Sequence, residues 1–281
     1  MKTLLVPFFD DAAAQVALDN AAMLAERFAA HIEGLFVVRP PQVIDGEGMA
    51  MMASYVTQLE EEGERLAERA RGRFEASMQG RGITPAAMAG DSGQVSASWR
   101  EFEGLEGQVL GDYGRLFDLL VIGRGFGYPW SDWDAMCEAA LFECGRPVLI
   151  TPEQGGSSIG EHCVIAWNGS TETARTIALS MPVLLAAARV TVLSIEGWSV
   201  PGPDGEQVAR HLVRNGIDAT ARTAPAQSRT PGQAIVEEAR GEGADLLVKG
   251  AYTQSRLRQL VFGGATRHIL YGADLPVLMA H

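Results

Sequence analysis

Asp245-Leu-Leu-Val-Lys-Gly-Ala-Tyr-Thr-Gln-Ser-Arg-Leu-Arg-Gln-Leu-Val-Phe-Gly-Gly-Ala-Thr-Arg-His268 is the stretch from which the fold is read. An apolar run, Leu246 to Val248, stops at Gly250; a polar, basic segment follows; Gly263-Gly264 then opens onto a new apolar periodic segment at Ile269-Leu270. This is the pattern of a buried strand, a loop and a helix entry made of small residues. The first N–H groups of such a helix have no intrahelical partner and point outward with the positive end of the dipole, which suits an anion. Between Leu246 and Ala273 there is no Asp or Glu, while Lys249, Arg256, Arg258 and Arg267 are present in a chain whose formal charge is -12. A basic island in an acidic protein suggests a phosphate on a small ligand more than a nucleic acid. The plainer alternative is a solvated basic loop beside a tight strand-to-helix turn.

Working outward, the same phrases occur twice. Asp118-Leu-Leu-Val-Ile-Gly123 returns as Asp245-Leu-Leu-Val-Lys-Gly250, and Arg146-Pro-Val-Leu-Ile150 returns as Leu275-Pro-Val-Leu-Met279. The opening strand, Leu4-Leu-Val-Pro-Phe8, has its counterpart in Cys163-Val-Ile-Ala-Trp-Asn168, and the second, Ile32 to Val38, in Val190 to Ser194. Between the first pair of strands Val16, Ala17, Ala21, Met23, Leu24 and Phe28 recur at helical spacing, predicting a helix from Ala12 to Ala30 with Asp11 as its N-cap. A strand, a helix and a strand make one βαβ unit and imply a parallel sheet. Two copies of one α/β unit account for the whole chain: 1–152, a Gly-Ser linker over 153–160, and 161–281. The first copy is longer. Its surplus is expected in a Met-rich loop, Gly46 to Ser54, and a helix from Tyr55 to Met78; a weak strand at Thr84 to Ala89 and a helix from Ser98 to Tyr113 follow.

Composition agrees with two ordinary globular domains: 281 residues, 47% hydrophobic and 21% charged. Pro7 and Asp10-Asp11 interrupt the first apolar run before it could serve as a signal peptide, and no apolar run reaches the roughly 18 residues that span a bilayer. The three cysteines, Cys137, Cys144 and Cys163, have no C-x-x-C spacing and read as buried free thiols in a reducing cytoplasm. There is no G-x-x-x-x-G-K-[ST] loop, no H-E-x-x-H, no Cys/His cluster and no G-x-S-x-G elbow, so neither a metal site nor a nucleophilic enzyme is expected.

The paired D-L-L-V-x-G strand ends and P-V-L final strands resemble the universal stress protein family in its tandem form. That resemblance implies two Rossmann-like domains of the adenine-nucleotide alpha hydrolase type, each a mostly parallel five-stranded sheet flanked by helices. It also implies ATP or a related adenine nucleotide, with or without Mg, bound after the fourth strand by G-x-x-G, nine residues, then G-[ST]. Gly250 and Gly263 fit two of those glycines; Thr253 replaces the second glycine, and Gly264 stands where Ser or Thr is usual, with Thr266 close behind. A Cβ at a glycine position penalises positive φ and close phosphate approach. The family's Asp after the first strand is Asn168 in copy two, where Asn-Gly-Ser is also good turn and N-cap chemistry for a helix from Thr171 to Leu179, and Phe9 in copy one.

The resemblance therefore implies a nucleotide site in copy two. Adenine is expected against the strand ends near Ala166, Asn168 and Leu193. Phosphates are expected on Gly263, Gly264, Ala265 and Thr266, with Arg256 and Lys249 or Arg258 supplying charge. Copy one, with Phe9 and with Asp132, Asp134, Glu138 and Glu143 around its loop, is expected to have lost the ligand. The function expected is that of a cytoplasmic stress-response sensor or regulator with at most slow hydrolysis and an unknown regulatory protein as partner. Neither nucleic acid nor membrane is expected as a partner; the two copies should pack as an internal pseudo-dimer, with a homodimer also open. The rival expectation is a nucleotide-free scaffold of the same fold.

Overall fold

The computed structural model describes residues 1–40, 49–83, 93–125, 132–251 and 264–281, with the backbone alone for 49–54 and 264. The first copy runs β1 (Thr3–Pro7), α1 (Ala12–Phe28), β2 (His31–Val38), α2 (Met49–Gly80), β3 (Ser96–Glu103), α3 (Glu106–Tyr113), β4 (Leu119–Gly123), α4 (Trp133–Phe142) and β5 (Val148–Thr151). The second runs β6 (His162–Ala166), α5 (Thr171–Ala186), β7 (Arg189–Ile195), α6 (Gly205–Arg214), β8 (Ala219–Ala224), α7 (Pro231–Gly241), β9 (Leu246–Gly250), α8 (Gly264–Gly272) and β10 (Val277–Ala280). Each copy contributes five mutually parallel strands flanked by helices, as expected. All ten form a single sheet in the order β3-β2-β1-β4-β5-β10-β9-β6-β7-β8.

Local chemistry explains the element boundaries. Asp11 accepts a hydrogen bond from the Ala14 N–H and starts α1; Ala29, in the left-handed region at φ 47°, ends it. Ser170, rather than Asn168, is the N-cap of α5, accepting from the Thr173 N–H. That helix passes the expected stop at Leu179 and carries Pro182 within it. Ser180 donates its hydroxyl to the Thr176 carbonyl in the turn before Pro182. Capping boxes start α6 at Asp204 and α7 at Thr230.

Two expectations are corrected. The segment read as one helix from Ser98 to Tyr113 is an edge strand followed by a shorter helix. Ser96–Glu103 pairs in parallel along all of β2, with Ala97 and Trp99 on one face and the charged Arg100, Glu101 and Glu103 on a solvated edge. The charges that resembled a helix surface are those that protect an edge strand. Helix α2 begins at Met49, inside the stretch read as a loop. The Thr84–Ala89 strand and the Met49, Met51 and Met52 side chains fall outside the described residues.

The seam between the copies is the antiparallel pair β5 and β10, with Val148 opposite Met279, Leu149 opposite Leu278 and Ile150 opposite Val277, all buried. Two arginines of copy one reinforce it by capping helix ends of copy two. The Arg27 guanidinium donates to the carbonyls of Ile159 and Ala186, at the end of α5. Arg124, 4% exposed, donates to the carbonyls of Ile269, Leu270 and Ala273 at the end of α8. Cations there meet the negative end of each helix dipole and satisfy orphan carbonyls. Trp133 packs edge-on against Tyr271 with ring centroids 5.5 Å apart, and the Tyr271 hydroxyl donates to Asp134. The Ile269 carbonyl also accepts from the Ala273 N–H, so Arg124→Met takes the side-chain donor from the Leu270 and Ala273 carbonyls; it is expected to lower stability by about 1–3 kcal/mol, measured by equilibrium denaturant unfolding.

Candidate functional site

In the second copy the chain moves outward from β6 to β7 and β8, then returns to place β9 on the other side of β6. The crevice at the carboxyl ends of β6 and β9 is thus the topological switch point, where open α/β sheets bind ligands. Four described elements converge on it: the β6–α5 turn, the end of β9, and the first turns of α5 and α8.

The structure joins most of the described candidate residues in one chain of contacts. Ala166 pairs with Leu193 in the sheet, and the Leu193 carbonyl accepts from the Trp167 N–H at 2.8 Å. Asn168, 4% exposed, accepts through Oδ1 from the Ser170 N–H at 3.2 Å and the Thr173 hydroxyl at 3.1 Å. Thr173 in turn lies against Gly250: a Cβ there would fall on the Thr173 backbone nitrogen and within 2.7 Å of the Glu172 carbonyl carbon. Ala265 packs on the first turn of α7, where Gly232 leaves room for its carbonyl. Thr253, Arg256, Arg258 and Gly263 lie outside the described residues, and Gly264 begins α8.

Lys249 differs from what its sequence context suggests. Expected to supply charge to a phosphate, it is 2% exposed, and its Nζ donates to the Gly250 carbonyl at 2.7 Å and to the Thr266 Oγ1 at 2.9 Å. Thr266 sits in the first turn of α8 and is itself 5% exposed. Among the described residues no carboxylate pairs with the lysine, and burial alone lowers its pKa to about 8. Its partners among the described residues are therefore both neutral, and it lies at the positive end of a helix, the wrong end for its charge. Gly250 also has a purpose independent of any ligand, since only a residue without Cβ lets α5 approach β9 this closely.

A lid that the sequence did not locate covers the β6–α5 turn. The Val200 N–H donates to the Asn168 carbonyl at 2.8 Å, and the Trp167 indole N–H donates to the Pro203 carbonyl at 2.9 Å. Gly169, at φ +85°, and Gly202 allow the two loops to touch.

In the matching crevice of copy one the described residues leave little room. Phe9 is buried edge-on against Phe36, with centroids 5.8 Å apart, and the Trp133 indole donates to the Gly123 carbonyl at 2.8 Å. The remaining cavity, bounded by Phe9, Gly123 and Trp133 among others, is about 20 Å³. That holds roughly one water. No group of three or more His, Cys, Asp or Glu suited to a metal occurs among the described residues, and none of their helices is long and apolar enough to cross a membrane. The thiols of Cys137, Cys144 and Cys163 are all free and buried, and burial raises their pKa values.

Residues 203–281 match the sequence profile of the universal stress protein family. Stress response protein NhaX of Bacillus subtilis (strain 168) is 37% identical over 49 residues, 17% of this chain and 30% of that protein, so the match spans under a third of the relative. Among solved structures, a universal stress protein from Archaeoglobus fulgidus DSM 4304 superposes over 99% of this chain and 97% of its own, with a TM-score of 0.69 at 15% identity. A functionally unknown protein from Pseudomonas aeruginosa PAO1 covers 100% of this chain and 92% of its own, with a TM-score of 0.55 at 15% identity. At those identities the likeness is one of fold.

Two outcomes follow from the geometry of β9. Gly250→Ala is expected to destabilise the ligand-free protein by roughly 2–4 kcal/mol, because backbone must move to admit the methyl; denaturant unfolding measures it. With a folded pKa of about 8 against an unfolded value near 10.5, the unfolded chain binds more protons between those values. Stability should therefore rise with pH across that window, by up to about 3 kcal/mol. The contribution is isolated by comparing unfolding of the native chain and of Lys249→Met from pH 7 to 10.5.

Proposed function

We propose that the C-terminal domain, whose residues 203–281 match the universal stress protein profile, binds one molecule of ATP or a related adenine nucleotide at the β6–β9 crevice. The protein acts as a cytoplasmic stress-response regulator or sensor rather than as an enzyme. The observation that carries this reading is the donor set at one end of the crevice. A buried ammonium without a carboxylate partner among the described residues lies beside the first turn of α8, and both favour an anion. Phosphates would be held by the N–H groups of Gly264, Ala265 and Thr266, with the Lys249 charge behind them. The basic residues Arg256 and Arg258 stand next to this turn in sequence. Base and ribose would lie toward Asn168 and the end of β7, under the 200–203 lid. The first copy, with about 20 Å³ left at the matching place, is assigned a structural role.

Bound nucleotide would act by biasing conformation, with the lid and the first turn of α8 as the elements that a partner protein reads. A second reading is favoured by a specific observation: the Asn168 side-chain oxygen is engaged by Ser170 and Thr173, and Gly250 is filled by α5, so both residues have structural work without any ligand. On that reading the protein is a nucleotide-free scaffold. Calorimetric titration with ATP, ADP and AMP, with and without Mg²⁺, decides between them. Saturable micromolar binding at one site per chain, lost in a folded Gly263→Val variant, is expected; absence of binding to the native chain establishes the scaffold instead.

A further inference from the structure

The copies differ at one interior position in a way that the fold does not require. Where β4 has Ile122, fully within the apolar core, β9 has Lys249, equally buried. A large apolar residue at this place is compatible with the same sheet, so the lysine is not demanded by packing. A buried cation with neutral partners costs stability. Its presence calls for a compensating interaction outside the described residues of the free protein.

The surroundings are consistent in sign. On α8 the ionisable residues are Arg267, whose guanidinium lies 5.6 Å over the Tyr271 ring, His268, and Tyr271, whose hydroxyl donates to Asp134. On α7, Glu237 pairs with Arg229, Glu238 with Arg222 and Arg229, and Arg240 with Asp274. At the β6 end of the sheet His162 is bonded to Thr191, and Asp245 accepts from the backbone of Glu161 and His162. His281, beyond β10, meets the Ala251 carbonyl, and Glu172 lies on α5, across the sheet. None of these supplies the lysine with a counter-charge, and desolvation is the single cause of its shift. The ammonium reaches α8 through one atom, the Thr266 Oγ1, which accepts from it and retains its own hydroxyl proton to donate.

We propose that Lys249 is the buried counter-charge for an anionic group bound at the first turn of α8, acting through the Thr266 hydroxyl, so that this site selects its ligand by negative charge. Lys249 and Thr266 form a donor relay: the ammonium polarises the hydroxyl, and the hydroxyl meets the anion beside the helix N–H groups. The reading of the crevice as a nucleotide site supplies only the identity of the ligand's other end. Because an anion favours the protonated lysine, binding above pH 8 takes up a proton, whereas binding at pH 6.5 does not.

The test uses the full chain with three probes, ATP, adenosine and inorganic tripolyphosphate, titrated by calorimetry at pH 6.5, 8 and 9.5 in buffers of different ionisation heat. The expected result is that the two anionic probes bind and adenosine binds far more weakly. Affinity for the anions should fall by up to about tenfold per pH unit above 8, with proton uptake. Lys249→Met should weaken anion binding by roughly ten- to a hundredfold and abolish the proton uptake while unfolding at higher denaturant concentration than the native chain at pH 7. Thr266→Val should behave like Lys249→Met in binding, and Thr266→Ser like the native chain. A lysine that merely ties β9 to α8 gives the opposite signature, with Lys249→Met less stable and binding unchanged, and that result overturns the proposal. Equal ATP binding by native and Lys249→Met proteins also overturns it while leaving the nucleotide reading intact. Lysine-dependent binding of tripolyphosphate, with no gain from adenosine in ATP, upholds the relay and removes the nucleotide. No binding of any probe removes both.

Discussion

A strand buried on both faces cannot be left at the edge of a sheet, and this constraint organises the molecule. Strands β5 and β10 are short, mostly apolar and buried, and each would be an open edge if its own five-stranded unit stood alone. Pairing them antiparallel removes both edges at once and leaves as outer strands β3 and β8, which carry charge or face solvent. The same pairing turns the copies head to tail, so their two carboxyl-end crevices open at opposite ends of the sheet. One crevice could therefore close around Phe9 and Trp133 while the other kept its polar lining.

The second organising contact is the close approach of the first helix of each copy to its fourth strand. Gly123 meets Ala13 and Gly250 meets Thr173, backbone against backbone, with no space for a Cβ at either strand residue. That approach sets the width of both crevices. In copy two it brings the Asn168–Ser170–Thr173 hydrogen bonds next to the strand that carries Lys249, and hence next to the first turn of α8. Polar satisfaction on one side of the crevice and an uncompensated charge on the other are thus products of one packing decision.

Much of this was legible in the residues. The repeated Asp-Leu-Leu-Val-x-Gly and Pro-Val-Leu phrases named the fourth and fifth strands of each copy, because central parallel strands read as unbroken apolar runs. Edge strands do not: Ser-Ala-Ser-Trp-Arg-Glu-Phe-Glu103 is half polar, and its charges passed for a helix surface. The candidate site was legible as a place but not as an arrangement. A lysine before a glycine at the end of a strand looks like the start of a solvated loop, and nothing in the linear order reports that Thr266 lies within reach of its ammonium. Gly250 was visible as an obligatory glycine, yet two different physical demands, a phosphate or a helix, would write the same letter. The caps from Arg27 and Arg124 were invisible for a simpler reason: they depend on how the copies meet.

The distance in sequence between the two seam strands has a consequence for biosynthesis. Strand β5 ends at Thr151 and its partner begins at Val277, so the whole of the second domain must be made in between. At the usual rate of about 5–20 residues per second, translation leaves the β5 edge waiting for on the order of ten seconds. During that interval a mostly apolar strand edge is a template for any other unpaired strand, including that of a neighbouring nascent chain on the same messenger. Yield in the cell should then be governed by polysome spacing and by holding chaperones as much as by the stability of the finished fold.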